Sequence, residues 1–322
     1  MKQHAATTRV LVNSFNRIVT PLTNLLAGVE LGGTKCVCIL GTGPDDIRAR
    51  MVVPTTTPEE TLSRIESILE DWRSTYGPLA ALGLASFGPL DLRPASPHYG
   101  QIVATTKPGW SYTDVAGRIG RRFGVPVGFN TDVNGAALAE GRWGGARGLQ
   151  SYAYITVGTG VGVGLVVAGR PVLGFSHAEL GHIRVIRMPG DNWPGCCPFH
   201  GDCVEGLASG PAIAARAGAP AERLAVNHLA WESVAFALGQ LLHTLVLATA
   251  PEKILIGGGV MDSRPHLFER IRENLKTSLN GYVGAEEIDR RGLTNYIIPP
   301  GLGSLAGPLG ALALAADALP TR

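Results

Sequence analysis

Apolar and polar positions follow one another in the same way in two stretches of the chain. Residues 26–40, LAGVELGGTKCVCIL, run from an apolar segment through a glycine turn into a second apolar segment, and residues 152–169, YAYITVGTGVGVGLVVAG, do the same. Apolar and β-branched residues on both sides of each turn predict buried hairpins. A tip made of glycine lets backbone N–H groups approach a phosphate, because no Cβ stands between them. Either stretch alone reads first as an ordinary tight hairpin. Two of them suggest a pair of similar lobes holding one polyphosphate. Neither is a P-loop, since GxxxxGK[ST] is absent, and in TVGTGVGVG Val163 takes the place of the third glycine of GxGxxG.

Between and after the hairpins the period changes. Residues 58–76 read as an amphipathic helix with Leu62, Ile65, Ile68 and Leu69 on one face. A strand over 79–86, a Pro/Gly-rich loop, a helix over 114–123 and a strand over 125–130 follow. TDVNGAALAEGRWG then opens a helix at Asp132. Residues 225–250 are predicted helical, and 252–260 form a buried strand that runs into a third glycine turn, Gly257, Gly258 and Gly259. An alanine-rich helix over 304–319 closes the chain, and the IPPGLGS stretch before it marks a return from one lobe to the other.

Composition narrows the class. With 322 residues the chain can bury two cores, and its formal charge of +2 gives no reason to expect nucleic acid. No apolar run approaches the ~20 residues of a membrane span; the best, near residues 238–250, is interrupted by Gln240, His243 and Thr244. Residues 1–26 lack the pattern of a secretory signal and read as a disordered arm. Five cysteines, an odd number without secretory context, argue against a disulfide framework and for a cytoplasmic protein. Cys36 and Cys38 alternate in an apolar strand, and neither is assigned a function.

Three places carry chemistry. Asp132 follows a strand and opens a helix, where N–H groups and the helix dipole are expected to keep its carboxylate ionised, ready to orient or accept an alcohol proton. A plain N-cap reads the same way. HAELGH places Glu179 and His182 three residues apart, able to meet sugar hydroxyls or a metal. GCCPFHGDC packs Cys197, His200 and Cys203 into a C-x2-H-x2-C loop that aims three ligands at one ion. A structural zinc site takes four such ligands in a tetrahedron. His182 is the best fourth, since Cys196 adjoins Cys197 and neighbouring side chains point apart. Such a cage would bring Glu179 and Glu205 towards one space, so the metal is read as a brace and not a catalyst.

In order along the chain, GVELGGTK, NTDVNGAALAEGRWG, YITVGTGVGVG, HAELGH, CPFHGDCVEGLASGPAI and ILIGGGV resemble the ROK family of sugar kinases, from residue 27 to about 319. SFGPLDL, TTKPGW and the C-x2-H-x2-C loop look like its fructokinase branch. The resemblance implies an actin-like (ribonuclease H-like) α/β fold with ATP and sugar in the cleft of two lobes. The expected small lobe is 27–125 plus 304–322, and the expected large lobe, with the zinc loop, is 126–303. It places the catalytic base on Asp132 and sugar contacts on Gly88, Pro89, Thr131, Glu179, His182 and Glu205. Phosphate turns fall on Gly32, Gly33, Thr34 and Lys35, and on Thr156, Gly158, Thr159 and Gly160, with Gly257–Gly259 near the adenosine. It implies MgATP, a structural Zn2+ on His182, Cys197, His200 and Cys203, and a homodimer. Fructose is the expected hexose, with mannose or glucose as the alternative. The chain departs from the family wording at Asn130, where many fructokinase-like members have aspartate, and at Thr131, where glucokinase-like members have asparagine. Sugar-responsive regulators of the same family carry a helix-turn-helix ahead of the kinase-like part, and residues 1–26 hold no such pattern. A sugar-binding protein without catalysis is disfavoured by the intact Asp132 and glycine turns.

Overall fold

The computed structural model describes residues 24–282 and 284–320. The arm expected over 1–26 falls, up to residue 23, outside them; Leu25 and Leu26 are already buried. One sheet contains β1 (Leu26–Leu31), β2 (Lys35–Gly43), β3 (Asp46–Pro54), β4 (Ala81–Ser86) and β5 (Val127–Thr131), in the order β3-β2-β1-β4-β5. A second contains β6 (Tyr152–Val157), β7 (Val161–Val167), β8 (Arg170–Pro171), β9 (Lys253–Gly257) and β10 (Ile297–Ile298), in the order β10-β9-β6-β7-β8. Both sheets follow one plan. Three antiparallel strands come in sequence, and two further strands add parallel to the first of them. The two glycine hairpins are therefore the centres of two like sheets.

The helices are α1 (Pro58–Tyr76), α2 (Val115–Phe123), α3 (Asp132–Trp143), α4 (Val204–Ala208), α5 (Gly210–Ala217) and α6 (Ala230–Thr249). They continue with α7 (Gly259–Ser263), α8 (Leu267–Leu279), α9 (Ala285–Arg291), α10 (Leu293–Tyr296) and α11 (Ala306–Asp317). α1 starts on a Thr57 cap with Pro58 in the first turn, and its Leu62, Ile65, Leu69 and Trp72 bury against one face of the first sheet. Cys36 and Cys38 lie in that same core, and burial pushes their thiols up to about 11 and about 12, which makes them inert packing groups.

The opposite face of the first sheet carries α11, which approaches so closely that a Cβ on Gly83 would collide with the Ala311 backbone. α11 in turn crosses α3 where Gly135 and Gly310 meet backbone to backbone. α3 rests on β6 and β7, so these two helices form the layer between the sheets. Beyond the second sheet, Trp231, Val234, Leu238 and Leu241 of α6 build the larger core with Ile155, Val163 and Ile254. Because β5 is hydrogen-bonded to β4, the chain leaves the first sheet after Thr131, in α3, and not at the expected residue 126. α6 is shorter than the helix expected over 225–250. α6 is long and apolar enough to cross a membrane by length and composition, but its apolar run is interrupted at Gln240, His243 and Thr244 as expected, and most of it is buried in the core.

Candidate active site and metal centre

Three parallel strands of the first sheet end level, with Leu31 opposite Ser86 and Ser86 opposite Thr131. Whatever follows them must share one edge. That edge holds the turn Gly32, Gly33, Thr34 and Lys35, the loop with Gly88 and Pro89, and Asp132. In the second sheet β6 and β9 run parallel with Thr156 opposite Gly257, so the turn Gly158, Thr159 and Gly160 and the turn Gly257–Gly259 also share an edge. Ligands of such sheets bind beyond the carboxyl ends of the strands.

The glycine turns are open where a phosphate would approach. Gly33, Thr34 and Lys35 are exposed, and the turn is braced from behind: Thr55 donates its hydroxyl to the Gly32 carbonyl at 2.7 Å and its N–H to the Thr34 carbonyl at 2.9 Å. In the second turn the Gly158 N–H donates to the Gly160 carbonyl at 2.8 Å. Gly258 has φ 93°, and a Cβ there would stand 2.6 Å from the Val157 carbonyl oxygen and 2.7 Å from Thr156 Oγ1. Only glycine allows this contact, which locks the third turn against the second.

Asp132 is the first residue of α3, not its cap. Thr131 is the cap, its hydroxyl accepting the Asn134 N–H at 3.2 Å. Thr131 is buried in that role, so its side chain fixes where Asp132 begins the helix. Asn130 Oδ1 accepts from the Thr131 N–H and from Asn134 Nδ2, both at 2.8 Å. An aspartate would offer the same acceptor, so the departure at residue 130 stays local. The Val133 N–H reaches Asp132 Oδ1 at 2.9 Å, but desolvation outweighs it and pushes the carboxyl from 3.8 up to about 6. The expected steadying by helix N–H groups is therefore the smaller effect. An aspartate near 6 still ionises at neutral pH and is a stronger base than a free one.

Asp132 stands in a row of carboxylates. Glu30, the one charged residue of β1, is pushed from 4.5 up to about 7, first by burial and then by Asp132, with Lys35 and Arg50 acting in the opposite direction. Glu179 is also raised, by desolvation and then by Asp132 and Glu205, although its side chain stays 48% open to solvent. Perturbed acids grouped at strand ends mark a functional site. Glu205, near the start of α4, accepts the Val161 N–H at 3.1 Å and so touches the second glycine turn.

His182, Cys197, His200 and Cys203 present ligand atoms that all lie within 4.8 Å of one another. His182 Nδ1 is 3.6 Å from Cys197 Sγ and 3.7 Å from Cys203 Sγ, and His200 Nδ1 is 3.7 Å from Cys197 Sγ. Tetrahedral bonds of about 2.3 Å to sulfur and about 2.0–2.1 Å to nitrogen give N···S edges of about 3.6 Å. The donor set therefore fits a tetrahedral metal ion. Gly195 (φ 77°) and Gly201 (φ 64°) make the tight loop possible. Cys196 is exposed and outside the cluster. With Nδ1 turned to the sulfurs, His182 keeps Nε2 for the cleft, 3.9 Å from Glu205 Oε1.

Three residues in this site were not anticipated. Glu30 had a readable signal, a lone carboxylate inside a buried strand. Lys107 donates from Nζ to the Gly33 carbonyl, and His177 Nε2 accepts the Leu90 N–H at 2.9 Å; both bonds join distant segments that no local pattern links.

The family model described as "ROK family" matches residues 26–318. A fructokinase of Zymomonas mobilis is 42% identical over 291 residues, covering 89% of this chain and 95% of that one. A fructokinase of Pediococcus pentosaceus is 40% identical over 295 residues, covering 92% and 99%. Among solved structures, a ROK family glucokinase from Streptomyces griseus in complex with glucose and AMPPNP superposes with a TM-score of 0.71 at 25% identity, covering 91% of this chain and 99% of that one.

Proposed function

This chain belongs to the ROK family, and on that footing we propose that it is an ATP-dependent fructokinase that converts D-fructose to fructose 6-phosphate. The observation that carries the proposal is Asp132. It is free of the capping role, pushed up to about 6, and acts electrostatically on both Glu30 and Glu179, the latter also facing Glu205. Phosphoryl transfer asks little covalent chemistry of a protein; it asks for an aligned hydroxyl, spread phosphate charge and a dry site.

Asp132 accepts the proton of the attacking hydroxyl. Glu179, Glu205 and the Nε2–H of His182 hold the other hydroxyls, with Gly88 and Pro89 as the facing wall. The backbone N–H groups of the Gly32–Lys35 and Gly158–Gly160 turns hold the phosphates, and Gly257–Gly259 lies against the nucleoside. Magnesium bound with ATP would spread the phosphate charge, and Glu30, a carboxylate beside the first phosphate turn, would hold it. Zinc on His182, Cys197, His200 and Cys203 is a brace, because it takes up all four ligands and leaves no open position.

Fructose is favoured by the 40% and 42% identities to the fructokinases. A second reading keeps the chemistry and changes the hexose to mannose or glucose, and the glucose complex of the Streptomyces griseus glucokinase speaks for it at lower identity. A cytoplasmic homodimer goes with either reading, and the exposed Phe175, Ile186 and Phe199 offer apolar surface for a second copy. The test is product identification. Incubation with MgATP and fructose should yield ADP and a single sugar phosphate whose phosphorus NMR signal couples to the two C6 protons. ADP release without that product would overturn the fructokinase reading.

A further inference from the structure

His177 lies inside the HAELGH segment, yet it belongs neither to the metal cage nor to the row of carboxylates. Its side chain is 2% exposed. Its Nε2 accepts the N–H of Leu90 at 2.9 Å, a buried bond between segments 87 residues apart. Burial holds its pKa below the usual imidazole value, so the ring is neutral. A neutral ring that accepts at Nε2 must carry its proton on Nδ1. That Nδ1 lies 3.4 Å from Glu179 Oε1, a close contact but not an aligned hydrogen bond, and the ring also hydrogen-bonds the Ala178 backbone. The ring also backs onto Gly88: a Cβ there would sit 3.4 Å from both Cε1 and Nε2. One imidazole thus touches the loop after β4, which belongs to the first sheet, and the carboxylate that follows the second hairpin.

We propose that His177 is a positioning residue that sets sugar specificity by fixing Glu179 in register with the Gly88–Leu90 loop. The two walls named above for the sugar sit on different sheets, and discrimination between hexoses requires them to hold one spacing. A site built to pair particular hydroxyls rejects a sugar that leaves its polar groups unpaired, but only while those groups cannot follow the wrong sugar. His177 supplies that stiffness without contacting the substrate. Among the described residues no hydrogen bond or other ion pair holds the Glu179 carboxylate.

The inference rests on the sugar-kinase reading. The experiment is steady-state kinetics of wild type, His177→Ala and His177→Gln with fructose, mannose, glucose and ATP, together with zinc content and Tm. His177→Ala should raise the KM of the preferred sugar at least tenfold and cut its preference over the next sugar at least fivefold. The KM of ATP should stay within about twofold, and zinc should stay bound. His177→Gln should recover part of the loss, because its amide can accept from Leu90 and donate towards Glu179. An active wild type whose variants keep sugar KM and preference, or whose sugar and ATP KM rise together, overturns the role of His177. If His177→Ala does not fold, the same criteria apply to His177→Gln, for which the predicted loss is smaller but still confined to the sugar. A wild type that phosphorylates no hexose overturns the kinase reading itself.

Discussion

The backbone N–H of Val161 donates to Oε2 of Glu205 at 3.1 Å, joining the second glycine turn to the helix that leaves the metal loop. Glu205 follows Cys203 by two residues, and its other oxygen lies 3.9 Å from Nε2 of His182, both members of the proposed metal set. On the proposed reading, this loop therefore sets a carboxylate that faces both the sugar and the phosphate turn. Disturbing the metal should be felt by both substrates.

Gently purified protein should carry about one zinc per chain, and Cys196→Ser should carry as much, because Cys196 is exposed and outside the cage. Chelation should lower Tm and raise the KM of sugar and ATP together. Metal analysis below about half a zinc per chain, or chelation that spares the KM of ATP, would contradict this.

Asp132→Asn should lower kcat by roughly 10²–10⁴, the usual contribution of a general base, with sugar affinity within about tenfold of wild type. Asparagine keeps the oxygen that accepts from Val133 but cannot take the proton. A loss smaller than tenfold would leave Asp132 without a catalytic part.

The same substitution tests the electrostatics. Asp132 is raised from 3.8 to about 6, so the fold disfavours its ionised form. That cost is present above about pH 6 and fades as pH falls towards 4. Asp132→Asn should therefore raise Tm by a few degrees at pH 8 and by less at pH 4.5, and wild-type kcat/KM should fall as pH drops through about 6. A lower Tm at pH 8 would mean that the ionised carboxylate is stabilised by its surroundings.

Gly258→Ala should raise the KM of ATP about tenfold or more with a small effect on sugar. Alanine is strained at φ 93°, at a cost of roughly 1–3 kcal/mol, and its Cβ would press on Val157 and Thr156, the end of β6 that leads into the second glycine turn. Titration of ATP against the variant checks it. An unchanged KM would remove the third turn from nucleotide binding.

Much of this architecture is legible in the chain because it is written in local pattern. The hairpins at residues 26–40 and 152–169, the face of α1 and the C-x2-H-x2-C loop all follow from spacing within a few residues. β3 escaped because DIRARMVVP lies mostly exposed at a sheet edge and its arginines hide the alternation. α8 escaped although Leu267, Phe268, Ile271 and Leu275 have helical spacing, since the charges between them dilute the pattern. Glu30 was absorbed into an apolar strand although a lone carboxylate there was a readable signal, and its pairing with Asp132 appears only in three dimensions. His177 and Lys107 act through bonds to residues 87 and 74 positions away, and such pairings exist only in three dimensions.

The central claim, that Asp132 and the carboxylates around it serve phosphoryl transfer to fructose, meets its most direct test in a substrate panel. With MgATP and zinc-loaded protein, kcat/KM should be measured for fructose, mannose, glucose, N-acetylmannosamine and allose. Polar groups left unpaired by a missing or inverted hydroxyl can support discrimination of ~10⁴ or more. Fructose should rank first and mannose second. A tenfold advantage for glucose or N-acetylmannosamine would contradict the assignment to fructose, and no ADP release with any of the five would contradict the kinase.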